Sequence, residues 1–155
     1  GVQTCALPIS YRMLGNTDEA ADVTQTVFLK AFENLDRFNP RYKFFSWVYR
    51  IAVNESINLL KRRGRTEPLA ETLVAETRGP EEQLESGRMK KEIQSALMSI
   101  QEDHRAVIVL RHFSDCSYRQ IGEILQIPEK TVKSRLFSAR QQMKRRLQEN
   151  GVVSA

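Results

Sequence analysis

The chain has 155 residues, 41 % hydrophobic and 28 % charged, a globular composition that suits one ordinary domain or two small ones. No run approaches the roughly 18 apolar residues of a membrane span and no signal peptide opens the chain, so a cytoplasmic protein with no membrane span is expected. The two cysteines, Cys5 and Cys116, are too few and too far apart for a zinc site, which leaves no metal and no cofactor expected, and the formal charge of +5 turns attention to polyanionic partners.

Residues 1–10, GVQTCALPIS, offer no evident helical period and read as a non-native segment ahead of a first domain (residues 11–63) whose opening helix is truncated. Beyond them the signals are all helical. Asn16-Thr-Asp-Glu19 reads as an N-cap with its capping box, opening a helix whose apolar face is expected to run through Ala20, Val23, Val27, Phe28, Ala31, Phe32 and Leu35. Asp22 and Gln25 fall off that stripe and default to solvent. Asn39-Pro40 breaks the chain. Ser46 is then expected to cap a helix that buries Val48, Ile51, Ala52 and Leu60, reaches about Arg63 and stops at Gly64. Residues 64–88, acidic and punctuated by Pro68, Gly79, Pro80 and Gly87, read as a flexible linker. Met89, Ile93, Leu97 and Ile100, followed by Val107, Leu110 and Phe113, begin a second domain over 89–150, with Phe28, Phe32 and Phe113 expected in the core. The fold class is all-α: two small helical domains joined by a flexible acidic linker.

The stretch SYRQIGEILQIPEKTVKSRLFSARQQMKRRL, residues 117–147, carries the most specific pattern. Ser117 and Gln120 form a capping box on a short helix buried through Ile121, Ile124 and Leu125, and Gln126-Ile127-Pro128 turns the chain into a longer helix. Gln126 stands where such turns want φ > 0. In the second helix Val132, Leu136, Ala139, Met143 and Leu147 share one side. The opposite side carries Lys130, Ser134, Phe137, Ser138, Gln141 and Arg145, flanked by Lys133 and Arg140. Short helix, tight turn and longer basic helix is the geometry of a major-groove reader. A merely solvated helical hairpin would pair Glu with Lys on that face and would not expose Phe137, which suits a thymine methyl.

A second basic block lies earlier, in FNPRYKFFSWVYRIAVN. Seven Lys or Arg and one acid, Glu55, fall between Arg41 and Arg65. Duplex DNA hides its bases, so rings among cations are useful where strands are parted, each stacked base contributing about 1–3 kcal/mol. Tyr42, Phe44, Phe45 and Trp47 with Arg41, Lys43 and Arg50 therefore suit a melted segment, and Lys61, Arg62 and Arg63 suit phosphate as well as a helix C-terminus. A lone tryptophan at a helix start is equally a core anchor, so Trp47 suits burial with one edge lining a pocket. One domain reading duplex while the other holds it open points to transcription initiation.

These segments resemble the extracytoplasmic-function (ECF) sigma factors of the bacterial sigma-70 family, over about Tyr11 to Leu147. DEAADVTQTVF resembles the family's core-polymerase-binding helix, with Asp22, Gln25 and Phe28 on its usual positions; FSWVYRIAVNESINLLKRR resembles its −10 segment, with Trp47, Arg50 and Asn54 matching; TVKSRLFSARQQM, Thr131 included, resembles its −35-reading helix. The resemblance implies binding to core RNA polymerase at a clamp helix of the largest subunit, to promoter DNA, and to a restraining anti-sigma factor. It also implies a flipped −10 base held near Trp47 and Asn54, and no catalysis. His104 and His112 lack ligand-spaced neighbours and read as surface or capping residues, and Cys116 as a plain small residue. An autonomous duplex-binding regulator would need a dimer seam that the pattern does not offer, and a recombinase would need a nucleophile among arginines on a β-rich domain.

Overall fold

A computed structural model of the chain describes residues 2–41, 43–66 and 84–154. Tyr42 and most of the expected linker lie outside the described residues. The described elements are helical: α1 (Val2–Leu14), α2 (Thr17–Glu33), a 3-10 turn at Leu35–Arg37, α3 (Phe44–Thr66), α4 (Leu84–Ser99), α5 (Glu102–Ile108), which runs on as a π turn over Val109–Phe113, α6 (Tyr118–Leu125) and α7 (Glu129–Glu149).

Helix α1 corrects the expectation that the opening residues lack a helical period. Ala6, Ile9 and Met13 recur at the i, i+3, i+7 spacing of a packed face and are fully buried, as is Leu14, while Pro8 stays exposed. Small and polar residues between them hid the period. Helix α2 starts at the expected N-cap, with Asn16 Oδ1 accepting from the Glu19 amide at 3.0 Å, but the Glu19 carboxylate pairs with Arg63 of α3 instead of closing the expected capping box. Its buried face is narrower than the sequence suggested: Ala20, Val23, Thr24, Val27 and Ala31. These small and β-branched side chains let α1 and α3 approach closely, which turns the larger rings outward. Phe28 is 47 % and Phe32 73 % exposed, and Phe113 41 %, so none of the three is a core residue.

Helix α3 begins two residues before Ser46, placing Phe44 and Phe45 in its first turn rather than in a loop, and it continues through Gly64. Gly64 is exposed, with open space where a Cβ would stand. Val48, Ala52, Val53 and Ser56 are buried against α1 and α2. In the second unit Leu97, Ile100, Val107, Leu110, Ile121, Val132 and Leu136 form the centre. The apolar core is continuous between the two units: α1 lies against α4, α5 and the π turn, and α3 against α5 and α6. Arg105 of α5 is buried here, where burial brings its guanidinium down to about 10 while leaving it charged at neutral pH.

Candidate nucleic-acid interface

The helix-turn-helix is assembled by local chemistry. Ser117 Oγ accepts from the Gln120 amide at 3.1 Å and Gln120 Oε1 accepts from the Ser117 amide at 2.8 Å, closing the capping box that starts α6. Helix α6 ends with Gln126 in the left-handed region (φ 55°, ψ 48°), and the Ile127 amide donates back to the Gly122 carbonyl at 3.0 Å. A Cβ at Gly122 would stand 2.9 Å from the Ile127 oxygen, so the turn requires glycine at that point. Pro128 then leads into α7 with φ −61°.

Val132, Leu136, Ala139 and Met143 bury one side of α7. On the other side Lys130, Lys133, Ser134, Phe137, Ser138, Gln141 and Arg145 are all exposed, Phe137 by 66 %, and Thr131 is half-buried at its edge. Ser134 Oγ donates to the Thr131 carbonyl at 3.0 Å. Arg140 Nε donates to His112 Nε2 at 3.2 Å, which requires that nitrogen unprotonated; partial burial and then the Arg140 and Arg111 cations keep the His112 pKa below its ordinary value. At the other end of α6, the Arg111 guanidinium sits 4.9 Å from the Tyr118 ring centre and donates to the Cys116 carbonyl at 3.0 Å. Burial, then Asp115, push the Cys116 thiol up to about 11, leaving it protonated and packed.

The second basic block forms a different kind of surface. Phe38, Phe44, Phe45, Trp47 and Tyr49 make a chain of ring contacts, with centres 5.3 Å apart for Phe38 and Trp47, 5.6 Å for Phe38 and Phe44, and 6.5 Å for Phe45 and Tyr49. Trp47 and Phe44 are half-buried within it, whereas Phe45 is 52 % exposed and Arg41 and Lys43 are exposed. Trp47 and Arg50 face a cleft of about 380 Å³ with Arg37, Phe38, Asn39 and Ser46; its far wall is Gly122, Glu123, Ile124 and Gln126 of the helix-turn-helix. One turn further along α3, Asn54 and Lys61 line a second cleft of about 440 Å³, with Asn58 beside them and Leu125 and Arg135 opposite. Lys61 and Arg62 border a third groove beside the Lys30–Glu55 ion pair.

Of the predicted strand-holding residues, Trp47 and Arg50 line the first cleft and Asn54 and Lys61 the second, while Arg41, Lys43, Phe44, Phe45 and Arg62 line neither. Sequence reasoning left out Arg37, Asn39 and Asn58. Asn58 was findable, because it stands four residues after Asn54 and three before Lys61 on the same helical face. On α2, Asp22, Gln25 and Phe28 are exposed together with Leu29, Phe32 and Leu35, the last three by 58 %, 73 % and 53 %. Four large apolar groups on one exposed helix and the turn after it form the kind of patch that marks a protein interface.

Residues 7–66 match the family model described as Sigma-70 region 2, and residues 90–143 match Sigma-70, region 4. The ECF RNA polymerase sigma factor SigW of Bacillus subtilis is 34 % identical over 154 residues, covering 91 % of this chain and 82 % of that protein. The chain belongs to the sigma-70 family, among its ECF sigma factors. The ECF RNA polymerase sigma-E factor of Escherichia coli K12 is 32 % identical over 142 residues, or 84 % of this chain and 74 % of its own length. The fold of this sigma factor matches that of the sigma factor RpoE of Bartonella quintana, solved with the anti-sigma factor NepR, with a TM-score of 0.72 at 24 % identity over 95 % of this chain and 92 % of that one. The region 2 match begins at residue 7, inside α1, and region 4 holds the helix-turn-helix. Among the described residues no helix is long and apolar enough to cross a membrane.

Proposed function

We propose that this sigma factor joins core RNA polymerase in the bacterial cytoplasm as a binding subunit without catalysis of its own, divides promoter reading between its two units, and is restrained by an anti-sigma factor. The exposed face of α7 reads −35 duplex. Lys133, Ser134, Phe137 and Ser138 meet base edges, while Lys130, Thr131, Gln141 and Arg145 hold phosphate and register. The clefts along α3 take the parted −10 strand, with a base against Trp47 beside Asn54 and the backbone along Arg50, Lys61 and Arg62; Arg41, Tyr42, Lys43, Phe44 and Phe45 extend that surface. The exposed stripe of α2 around Asp22, Gln25 and Phe28, widened by Leu29 and Phe32, docks on the clamp region of the largest polymerase subunit.

The observation that carries this reading is the pairing, on one chain, of a prominent basic recognition helix with a recessed ring-and-cation surface. A duplex-only regulator has no use for the second. Size-exclusion chromatography with bacterial core polymerase at physiological salt tests it. Co-elution of the chain, lost in Phe28→Asp, is the expected result; a chain that binds duplex but never co-elutes with core enzyme would make it an autonomous regulator.

A further inference from the structure

Arg140, on the flank of the recognition face of α7, takes its hydrogen-bond partner from outside that helix. The buried run from Arg105 to Leu110 passes out of α5 into the π turn over Val109–Phe113. Such turns are rare and are frequent at functional sites. This one delivers His112 to α7, where His112 Nε2 accepts from Arg140 Nε at 3.2 Å, across 28 residues of sequence. Partial burial, then Arg140 and Arg111, disfavour a charge on the imidazole, so Nε2 keeps the lone pair that the bond needs.

A guanidinium carries five N–H donors in a rigid fork. His112 takes the Nε–H and leaves Nη1 and Nη2 of Arg140 without a hydrogen bond among the described residues. That open edge matches two oxygens of a phosphodiester. Along α7, Arg140 stands three residues after Phe137 and seven after Lys133, and all three side chains are exposed on adjoining turns. The other cation beside the imidazole is engaged elsewhere: Arg111 lies 4.9 Å from the Tyr118 ring centre and donates to the Cys116 carbonyl at 3.0 Å. His112 therefore serves Arg140.

We propose that Arg140 is a further phosphate contact of the recognition helix and that His112 is its positioning residue, holding Nε so that Nη1 and Nη2 meet one phosphodiester of the duplex. The proposal rests on the duplex-reading role given to α7 above. An exposed arginine loses much rotamer freedom when it is fixed against a partner. A neighbour that already fixes its Nε in the free protein removes part of that cost before the duplex arrives. His112 acts through Arg140 and makes no contact with DNA of its own.

The test uses the full chain and a fluorescein-labelled duplex of mixed sequence, with anisotropy titrations over a series of salt concentrations and circular dichroism to confirm the fold. Arg140→Ala is expected to lower the salt slope by about one ion. His112→Ala and the ring-retaining His112→Phe both remove the acceptor, and each is expected to weaken binding by about two- to tenfold. His112→Gln restores an acceptor near the place of Nε2 and should bind as the parent does. In the Arg140→Ala background, His112→Ala should cost nothing further. If one acceptor-free variant loses its fold, the other decides. Unweakened binding in that variant would overturn the positioning. So would a loss that persists in the Arg140→Ala background or that His112→Gln fails to restore, since His112 would then be merely structural. An unchanged slope in Arg140→Ala would overturn the phosphate contact. Arg145→Ala then locates the fault: a lowered slope there leaves the duplex role of α7 standing, and an unchanged one removes that role too.

Discussion

Along α7 the outward side chains stand clear of the rest of the protein, with Phe137 66 % exposed. Along α3 Phe44, Trp47 and Arg50 are half-buried, Trp47 lying against Phe38 and Phe44 and sharing its cleft with α6, while Phe45 and Asn54 are exposed. The difference fits the partners proposed for the two surfaces. A duplex presents its base edges in a groove that admits a whole helix, so the reading element has to protrude and present short, hydrogen-bonding side chains. A parted strand presents base faces, which are best held by rings whose positions are already set by packing. The first surface depends on a backbone turn, the second on side-chain packing, and the two can be broken separately.

The largest separation is expected from Gly122→Ala. Its Cβ would meet the Ile127 oxygen at 2.9 Å, a backbone atom that cannot move without displacing the start of α7. A loss of about 1–3 kcal/mol in unfolding free energy is expected by chemical denaturation, with duplex binding weakened and the ring contacts of α3 retained. Equal damage to both surfaces would mean that they are not independent. Next, Phe137→Ala should weaken duplex binding by roughly 1 kcal/mol, at the low end of the cost of a mismatched base pair. Its Tm should stay unchanged, because the ring makes little contact with the core.

A smaller effect is expected from Arg145→Ala, which should lower the salt slope of duplex binding by about one ion without changing sequence preference. Retention of the full slope would remove Arg145 from the phosphate contacts. The smallest concerns His112, whose pKa lies below its ordinary value because of partial burial and the cations Arg140 and Arg111. Between that depressed value and about 6.5, the unfolded chain binds the proton more readily than the folded one. Stability should therefore rise with pH through this window, being complete above about 6.5 and lost as pH falls through the folded value. Thermal melts at pH 7 and pH 5 should show a slightly smaller drop in His112→Gln than in the parent; identical drops would mean that the imidazole is unperturbed.

The helix-turn-helix was legible because its determinants are local: a capping box within four residues, a proline after the turn, and a 3.6-residue stripe from Val132 to Met143. Helix α1 was not, since Pro8 and the small residues around it obscure a face made of only a few buried groups, Ala6, Ile9 and Met13 among them. In α2 the pattern contains two apolar stripes. Periodicity alone does not say which one is buried, and here close packing selected the smaller side chains and left Phe28 and Phe32 outside. The Trp47 contacts were half legible: its place among rings was readable, but the opposing wall from α6 depends on how the units meet. That meeting joins one apolar core across both units and includes Gln94 and Arg105, polar side chains whose partners are backbone carbonyls about 80 to 90 residues away, beyond the reach of local patterns.

The central claim, that duplex and parted strand are held by different surfaces, is tested most directly with the chain bound to core polymerase. Two DNA probes would differ only in whether the −10 segment is double- or single-stranded, and Trp47→Ala would be compared with Phe137→Ala by fluorescence anisotropy. The account predicts that Trp47→Ala abolishes the preference for the single-stranded probe by removing roughly 1–3 kcal/mol of stacking, while Phe137→Ala weakens both probes equally. Equal losses on both probes from Trp47→Ala would contradict it.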